Sequence, residues 1–269
     1  MAHPRSALLN VMVAAAQKAA RKLVRDFGEV EHLQVSKKGP ADFVSTADTT
    51  AEKTLCTELR KARPRYAFLT EEEGAIPGAD TSNRWIIDPL DGTTNFLHGL
   101  PHFAISIALE RDGDPIAGVI YAPVYDEMFW AEKGAGAFLN GRRLRVSARR
   151  QPEDSLFATG IPYRRRDDHP LFLRQVAAVM AVSAGVRRSG SAALDLAYVA
   201  AGRYDGFWES GLYAWDIAAG MVLVREAGGD VSEIDGGRNM LGSGDIVAAT
   251  HPLHATLAKI LREAAKIKS

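Results

Sequence analysis

The run Trp85-Ile86-Ile87-Asp88-Pro89-Leu90-Asp91-Gly92-Thr93-Thr94-Asn95-Phe96 restricts this chain more tightly than any other stretch. An apolar strand delivers Asp88 at its end, Pro89 and Gly92 force a tight turn, and Asp91 returns beside Asp88. Two carboxylates then share one small space behind a buried strand. That is costly unless one is protonated or a cation joins them, and no Lys or Arg occurs between Arg84 and Arg111. A hard divalent cation such as Mg²⁺ is the simplest answer. An EF-hand loop would need ligands at alternating positions and a distant Glu, and a haloacid-dehalogenase motif has one residue between its Asp residues where this chain has two. A plain turn with a capping Asp stays open as the alternative.

The rest of the chain bounds the class. With 269 residues it has room for one large or two small domains, and 33 basic against 33 acidic residues argue against a dedicated nucleic-acid binder. The uncharged run Phe96 to Leu109 is too short for a membrane span and carries two His, a Gly and a Pro. A single cysteine, Cys56, excludes an internal disulfide and suits a cytoplasmic protein. Arg5 followed by Leu8 to Ala16 imitates an export signal, but Leu9, Val13, Ala16, Ala20, Leu23 and Phe27 recur at helical spacing up to Gly28, so a helix is expected there.

A second helix is expected from the capping-box pattern Thr49-Thr50-Ala51-Glu52, ending at Pro64. From Tyr66 the period changes to short strands at Tyr66 to Thr70, Arg84 to Ile87, Phe103 to Leu109, Ile116 to Tyr121 and Glu127 to Ala131. Asp112-Gly113, Gly134-Ala135-Gly136 and Asn140-Gly141 supply turns, so the reading is an antiparallel meander. After a soft boundary near Gln151-Pro152 strands alternate with helices, implying a βαβ-type second half: residues 1–150 form one domain with most metal ligands, residues 151–269 an α/β subdomain. Glu71-Glu72-Glu73 follows a strand and, taken alone, reads as a solvated charge run. Asp216, in Trp215-Asp216-Ile217-Ala218-Ala219-Gly220, starts a small-residue helix, where an acid ordinarily complements the helix dipole.

Taken together, the segments Asp42 to Asp48, Glu71-Glu72, Trp85 to Phe96, Gly190-Ser191-Ala192-Ala193, Trp215 to Gly220 and Glu226 to Gly229 resemble the inositol monophosphatase family, in its bacterial inositol-1-monophosphatase branch. The resemblance covers almost the whole chain. It implies an α/β fold layered α-β-α-β-α, a homodimer, lithium sensitivity, and two or three Mg²⁺ ions. Glu71, Asp88 and the Leu90 carbonyl would hold a first ion; Asp88, Asp91 and Asp216 a second; Glu71 would touch a third. Asp48 and Thr93 match the pair that orients the attacking water. Phosphate would meet the N–H groups of Gly92, Thr93 and Thr94, and Asp91, Gly190, Ser191, Ala192 and Glu209 match contacts to the polyol. Thr70 stands where many members carry Gly, so Glu72 is kept beside Glu71 as a candidate. Glu209 has a second reading as the end of an edge strand, and Lys37 reads either as facing the site or as a surface lysine.

The expected activity is Mg²⁺-dependent hydrolysis of a small polyol monophosphate, inositol 1-phosphate first, by metal-activated water. Histidinol phosphate, fructose 1,6-bisphosphate and 3'-phosphoadenosine nucleotides are rival substrates. A rival of another class is a protein that binds RNA or the transcription machinery on a phosphatase fold, supported by Arg142-Arg143, Arg145 and Arg149-Arg150. His98 and His102 have metal-ligand spacing, but Pro101 stops one helix from presenting both. Arg164-Arg165-Arg166 reads as a solvated loop.

Overall fold

The computed structural model describes residues 4–29, 35–37, 43–162 and 168–267, with the side chains of 35–37 and 43–45 left aside. Helix α1 (Ala7–Phe27) starts where the Ser6 hydroxyl accepts the Leu9 N–H, and it buries the stripe Leu9, Met12, Val13, Ala16, Leu23. Strands β1 (Val35–Lys37) and β2 (Phe43–Ser45) form a small antiparallel ladder. Helix α2 (Thr46–Ala62) begins three residues ahead of the expected capping box. Thr49 and Thr50 therefore lie inside it, with the Thr50 hydroxyl donating to the Thr46 carbonyl, and Glu52 does not cap the helix at all.

The first sheet comprises β3 (Ala67–Thr70), β4 (Gly74–Ile76), β5 (Asn83–Asp91), β6 (Ala104–Arg111), β7 (Asp114–Ala122), β8 (Glu127–Glu132), β9 (Gly136–Leu139) and β10 (Arg142–Arg143), in the spatial order β10-β9-β8-β7-β6-β5-β3-β4. From β5 to β10 it is the expected antiparallel meander. The pairing of β3 with β5 departs from that expectation, because it is parallel: β4 folds back on the outer edge of β3, and the chain crosses over before entering β5. Short helix α3 (Thr93–Leu97) follows β5 directly.

The second sheet holds β11 (Leu156–Thr159), β12 (Gly185–Arg187), β13 (Gly206–Glu209), β14 (Gly229–Ser232) and β15 (Ile246–Thr250), ordered β12-β11-β13-β15-β14. It is mixed, with β11 parallel to both neighbours and β15 antiparallel to both of its own. Its helices are α4 (His169–Met180), α5 (Ala192–Ala200), α6 (Ala214–Glu226), α7 (Met240–Ser243) and α8 (His251–Lys266). Strand β14 was not expected: Gly228-Gly229 reads as a helix stop, and the partly exposed strand carries no clear alternation.

The layers run α1/α2, first sheet, α5/α6, second sheet, α4/α8. This is the expected α-β-α-β-α stack. Three apolar clusters fill the interfaces, and the central one spans both faces of α5/α6, joining Ile86, Ala108 and Phe129 of the first sheet to Leu194, Ile217 and Leu223 of the helices and Phe207 of the second sheet. Among the described residues no helix is long and apolar enough to cross a membrane.

Candidate active site

Strand β5 is buried from Trp85 to Leu90 and pairs with β6 as far as Asp88 opposite Ser106, after which the register shifts before Asp91. Pro89, which has no N–H to give a ladder, falls in that irregularity. The Leu90 N–H turns inward to Asp88 Oδ1 at 2.9 Å. Gly92 has φ +96°, and a Cβ there would lie 2.9 Å from the His102 carbonyl oxygen, so both conformation and space require glycine. The Thr93 hydroxyl then lies 2.9 Å from the Leu90 carbonyl and 3.4 Å from Asp48 Oδ2, two acceptors for one proton.

The parallel pairing explains how a distant acid joins this turn. Thr70 is level with Ile87, so the next residues, Glu71 and Asp88, emerge from adjacent strands at the same height. The turn beyond β3 is tied down by Glu52, which is 1% exposed and accepts the N–H groups of Glu72 at 2.9 Å and Glu73 at 3.0 Å. Carboxylate oxygens of Asp48, Glu71 and Glu72 lie within 4.8 Å of one another. Asp91 is clamped from the second half of the chain, accepting the Ser191 hydroxyl at 2.5 Å and the Ala193 N–H at 2.7 Å. Ser191 also caps α5, so its hydroxyl is committed to holding Asp91 in place.

Asp216 comes from the first turn of α6, where it accepts the Tyr213 N–H at 2.6 Å. The helix reaches this position because small residues let it press close. A Cβ on Gly118 of β7 would lie 2.6 Å from the Ala219 carbonyl oxygen, and one on Gly220 would lie 2.5 Å from Leu196 of α5.

These elements surround a cavity of about 290 Å³. Strands β3 and β5 and the turn after β3 bring Glu71, Asp88, Leu90 and Asp91, and the α3 turn brings Gly92, Thr93 and Thr94. The start of α5 brings Gly190, Ser191 and Ala192, while β13 and α6 bring Glu209 and Asp216. Asp48 sits beside Thr93, and Glu72 joins the Asp48–Glu71 group. Lys37 lies on β1 with its side chain outside the described residues, as does the whole of Arg164-Arg165-Arg166. His98 is exposed, whereas the His102 ring packs edge-on to Tyr198, so the two do not form a pair.

The electrostatics are those of anions held together. Burial first, then the charges of Glu71, Asp91, Asp216 and Asp48, hold the Asp88 carboxyl well above the usual carboxylate range. Burial raises Asp91 to about 6 against the lowering pull of its Ser191 and Ala193 hydrogen bonds. Asp216 is pushed up by burial and by Asp91, Glu209 by burial and by Asp195. All the donors are hard oxygens, and a divalent cation would relieve both burial and repulsion, so the residues fit such an ion.

Three residues escaped the sequence reading. Glu52 matches a capping-box pattern but anchors the turn after β3 instead. Asn95 donates to the His102 carbonyl at 2.8 Å and the Ser189 carbonyl at 2.9 Å, stitching the α3 turn to the loop before α5. Asp195 lines the cavity, is 1% exposed, and has no hydrogen-bond partner at Oδ1 among the described residues. An acid in the first turn of a helix gives no signal to separate it from ordinary dipole complementation.

The chain is similar to known proteins along most of its length. An inositol-1-monophosphatase of Mesorhizobium japonicum is 60% identical over 259 residues, covering 96% of this chain and 97% of that one. The Nus factor SuhB of Escherichia coli is 46% identical over 246 residues, 91% of each chain. The crystal structure of the extragenic suppressor protein SuhB from Bartonella henselae superposes with a TM-score of 0.93 at 56% identity, covering 96% of this chain and 99% of that one. The profile of the inositol monophosphatase family matches residues 5–266, nearly the full length, and with the layered fold and these relatives it establishes that the chain is a phosphatase belonging to the inositol monophosphatase family.

Proposed function

We propose that the chain hydrolyses monophosphate esters of small polyols, inositol 1-phosphate foremost, with Mg²⁺ as its cofactor and water as the direct nucleophile. The observation that carries this is the convergence of Glu71, Asp88, Asp91 and Asp216 on one cavity that Thr93 also lines, with Asp48 beside Thr93. The Mesorhizobium relative's name supports the substrate. Glu71, Asp88 and the Leu90 carbonyl would hold one ion; Asp88, Asp91 and Asp216 a second; Glu71 a third. Bound there, Mg²⁺ supplies Lewis-acid polarisation of the phosphoryl oxygens and lowers the pKa of water toward neutrality.

The protein's own groups do the rest. Thr93 has one proton and two acceptors; when Leu90 is engaged elsewhere the proton goes to Asp48, and the Thr93 lone pairs then face a water. As that water attacks in line it would pass a proton to the Thr93 oxygen, whose own proton moves on to Asp48. The N–H groups of Gly92, Thr93 and Thr94 meet the phosphate, while Gly190, Ala192 and Glu209 face the leaving group. A homodimer, lithium inhibition and a cytoplasmic location belong to the same reading.

The test is phosphate release from inositol 1-phosphate, histidinol phosphate, fructose 1,6-bisphosphate and 3'-phosphoadenosine 5'-phosphate, with Mg²⁺ or with EDTA. Mg²⁺-dependent preference for inositol 1-phosphate is expected; preference for another ester replaces the substrate, and release in EDTA removes the metal. A second reading, binding to RNA or the transcription machinery, draws on the Escherichia coli relative's name and on the exposed Arg142, Arg143 and Arg145. No release from any ester would shift the weight to it.

A further inference from the structure

The end of the cavity farthest along the chain is built from β11, β13 and α5, and its chemistry is one-sided. The Ser191 hydroxyl and the Ala193 N–H are both spent on Asp91. Inside the exposed Arg188 at the rim, the buried side chains that remain there are acceptors: Glu209 at the end of β13 and Asp195 on α5. A wall of carboxyl oxygens suits a ligand that brings O–H donors.

The seat of Glu209 depends on a residue that contributes nothing but room. A Cβ built on Gly160, just beyond β11, would fall 2.1 Å from the Glu209 carboxyl carbon and from both of its oxygens. The Glu209 carboxyl thus occupies the volume that any side chain at position 160 would claim. Gly160 is not in the left-handed region, so its backbone tolerates alanine, and the obstructing atoms are the far end of a flexible side chain. A side chain at 160 would therefore move Glu209 and leave the fold standing.

We propose that Gly160 is a specificity-determining residue: by having no side chain it fixes the Glu209 carboxyl where it accepts hydroxyls of the leaving group. This rests on the phosphatase reading given above. The charges around Glu209 decide where a displaced carboxyl goes. Asp195 and Asp91 repel it, and the Arg188 guanidinium, exposed at the cavity rim, attracts it. Displacement thus carries the carboxylate outward to Arg188 and away from the leaving group.

The experiment is a double-mutant cycle of Gly160→Ala and Glu209→Ala on the full chain with Mg²⁺, reading kcat and KM for inositol 1-phosphate and for phenyl phosphate, whose leaving group has no further hydroxyl. Gly160→Ala should raise KM for inositol 1-phosphate about tenfold, the loss of one hydrogen bond to a charged group, and leave phenyl phosphate within about twofold. In the Glu209→Ala background, where no carboxyl is left to displace, it should add nothing further. A full additive effect in that background, or equal losses on both esters, overturns the role of Gly160 while leaving the phosphatase reading intact. If wild type prefers another ester of the panel, the cycle is run on that ester. A wild type that hydrolyses no ester removes both readings, and an unchanged melting temperature in Gly160→Ala separates lost positioning from lost folding.

Discussion

Glu52→Gln tests whether the acid that anchors the Glu71 turn also serves the metal site. The carboxylate accepts two N–H groups, from Glu72 and Glu73, at 2.9 and 3.0 Å, and it sits one helical turn after Asp48 on α2. Glutamine offers one oxygen and one NH₂, so one N–H gains a donor as neighbour where it had an acceptor. A hydrogen bond to a charged group contributes about 1.5–3 kcal/mol, and burial, which holds the Glu52 pKa above its usual value, returns part of that when the charge is removed. The net loss should be about 1–2 kcal/mol, read by urea unfolding in EDTA at pH 7. The turn carries Glu71, so the Mg²⁺ concentration for half-maximal activity should rise about tenfold, in the range seen when groups behind metal ligands are altered. Glu58→Gln, on the same helix but paired with Lys18 and Lys61, is the control and should leave the Mg²⁺ curve in place. An unchanged unfolding midpoint together with an unchanged Mg²⁺ curve for Glu52→Gln would refute the reasoning.

Three further outcomes are expected. Asp88→Asn should lower kcat by about a thousandfold or more, yet raise the melting temperature of metal-free protein, because it removes a buried anion from among four others; a drop in that temperature contradicts the electrostatic account. In EDTA the protein should lose stability as pH rises from about 4 through 6 and beyond. Asp88, Asp91 and Asp216 hold protons more tightly when folded than their unfolded values near 4, so the folded state carries more protons throughout that window. Mg²⁺ should reverse the trend, since it binds the deprotonated groups; equal unfolding midpoints at pH 5 and pH 7 in EDTA would count against this. Gly118→Ala should destabilise by about 3 kcal/mol, because its methyl meets the backbone of Ala219, which cannot swing aside; a midpoint like wild type would show that α6 can slide.

The parts of the site that were legible from residues alone were those with local causes. Pro89 and Gly92 announce a turn, and two Asp residues beside them without a basic neighbour announce a cation. Small residues after Asp216 announce a helix that packs close, and Gly118 and Gly220 are where it does. What stayed hidden has partners far off. Glu52 fits a capping pattern four residues long, while its acceptor role belongs to N–H groups 20 and 21 residues away. The parallel register of β3 and β5 has no local sign, because a hairpin strand intervenes between them. Gly160 looks like any strand-end glycine until Glu209 is found occupying its missing side chain.

Helix α6 touches the first sheet through Gly118 and α5 through Gly220, and the second sheet lies just behind it. To free Asp216 from Asp88 and Asp91, α6 must lift off the central core shared by both sheets. Hydrogen exchange at the α6 amides should then report the global unfolding free energy, with no cheaper opening beneath it. On heating, such an enzyme has no half-working form: activity and fold should disappear in a single step, on one clock.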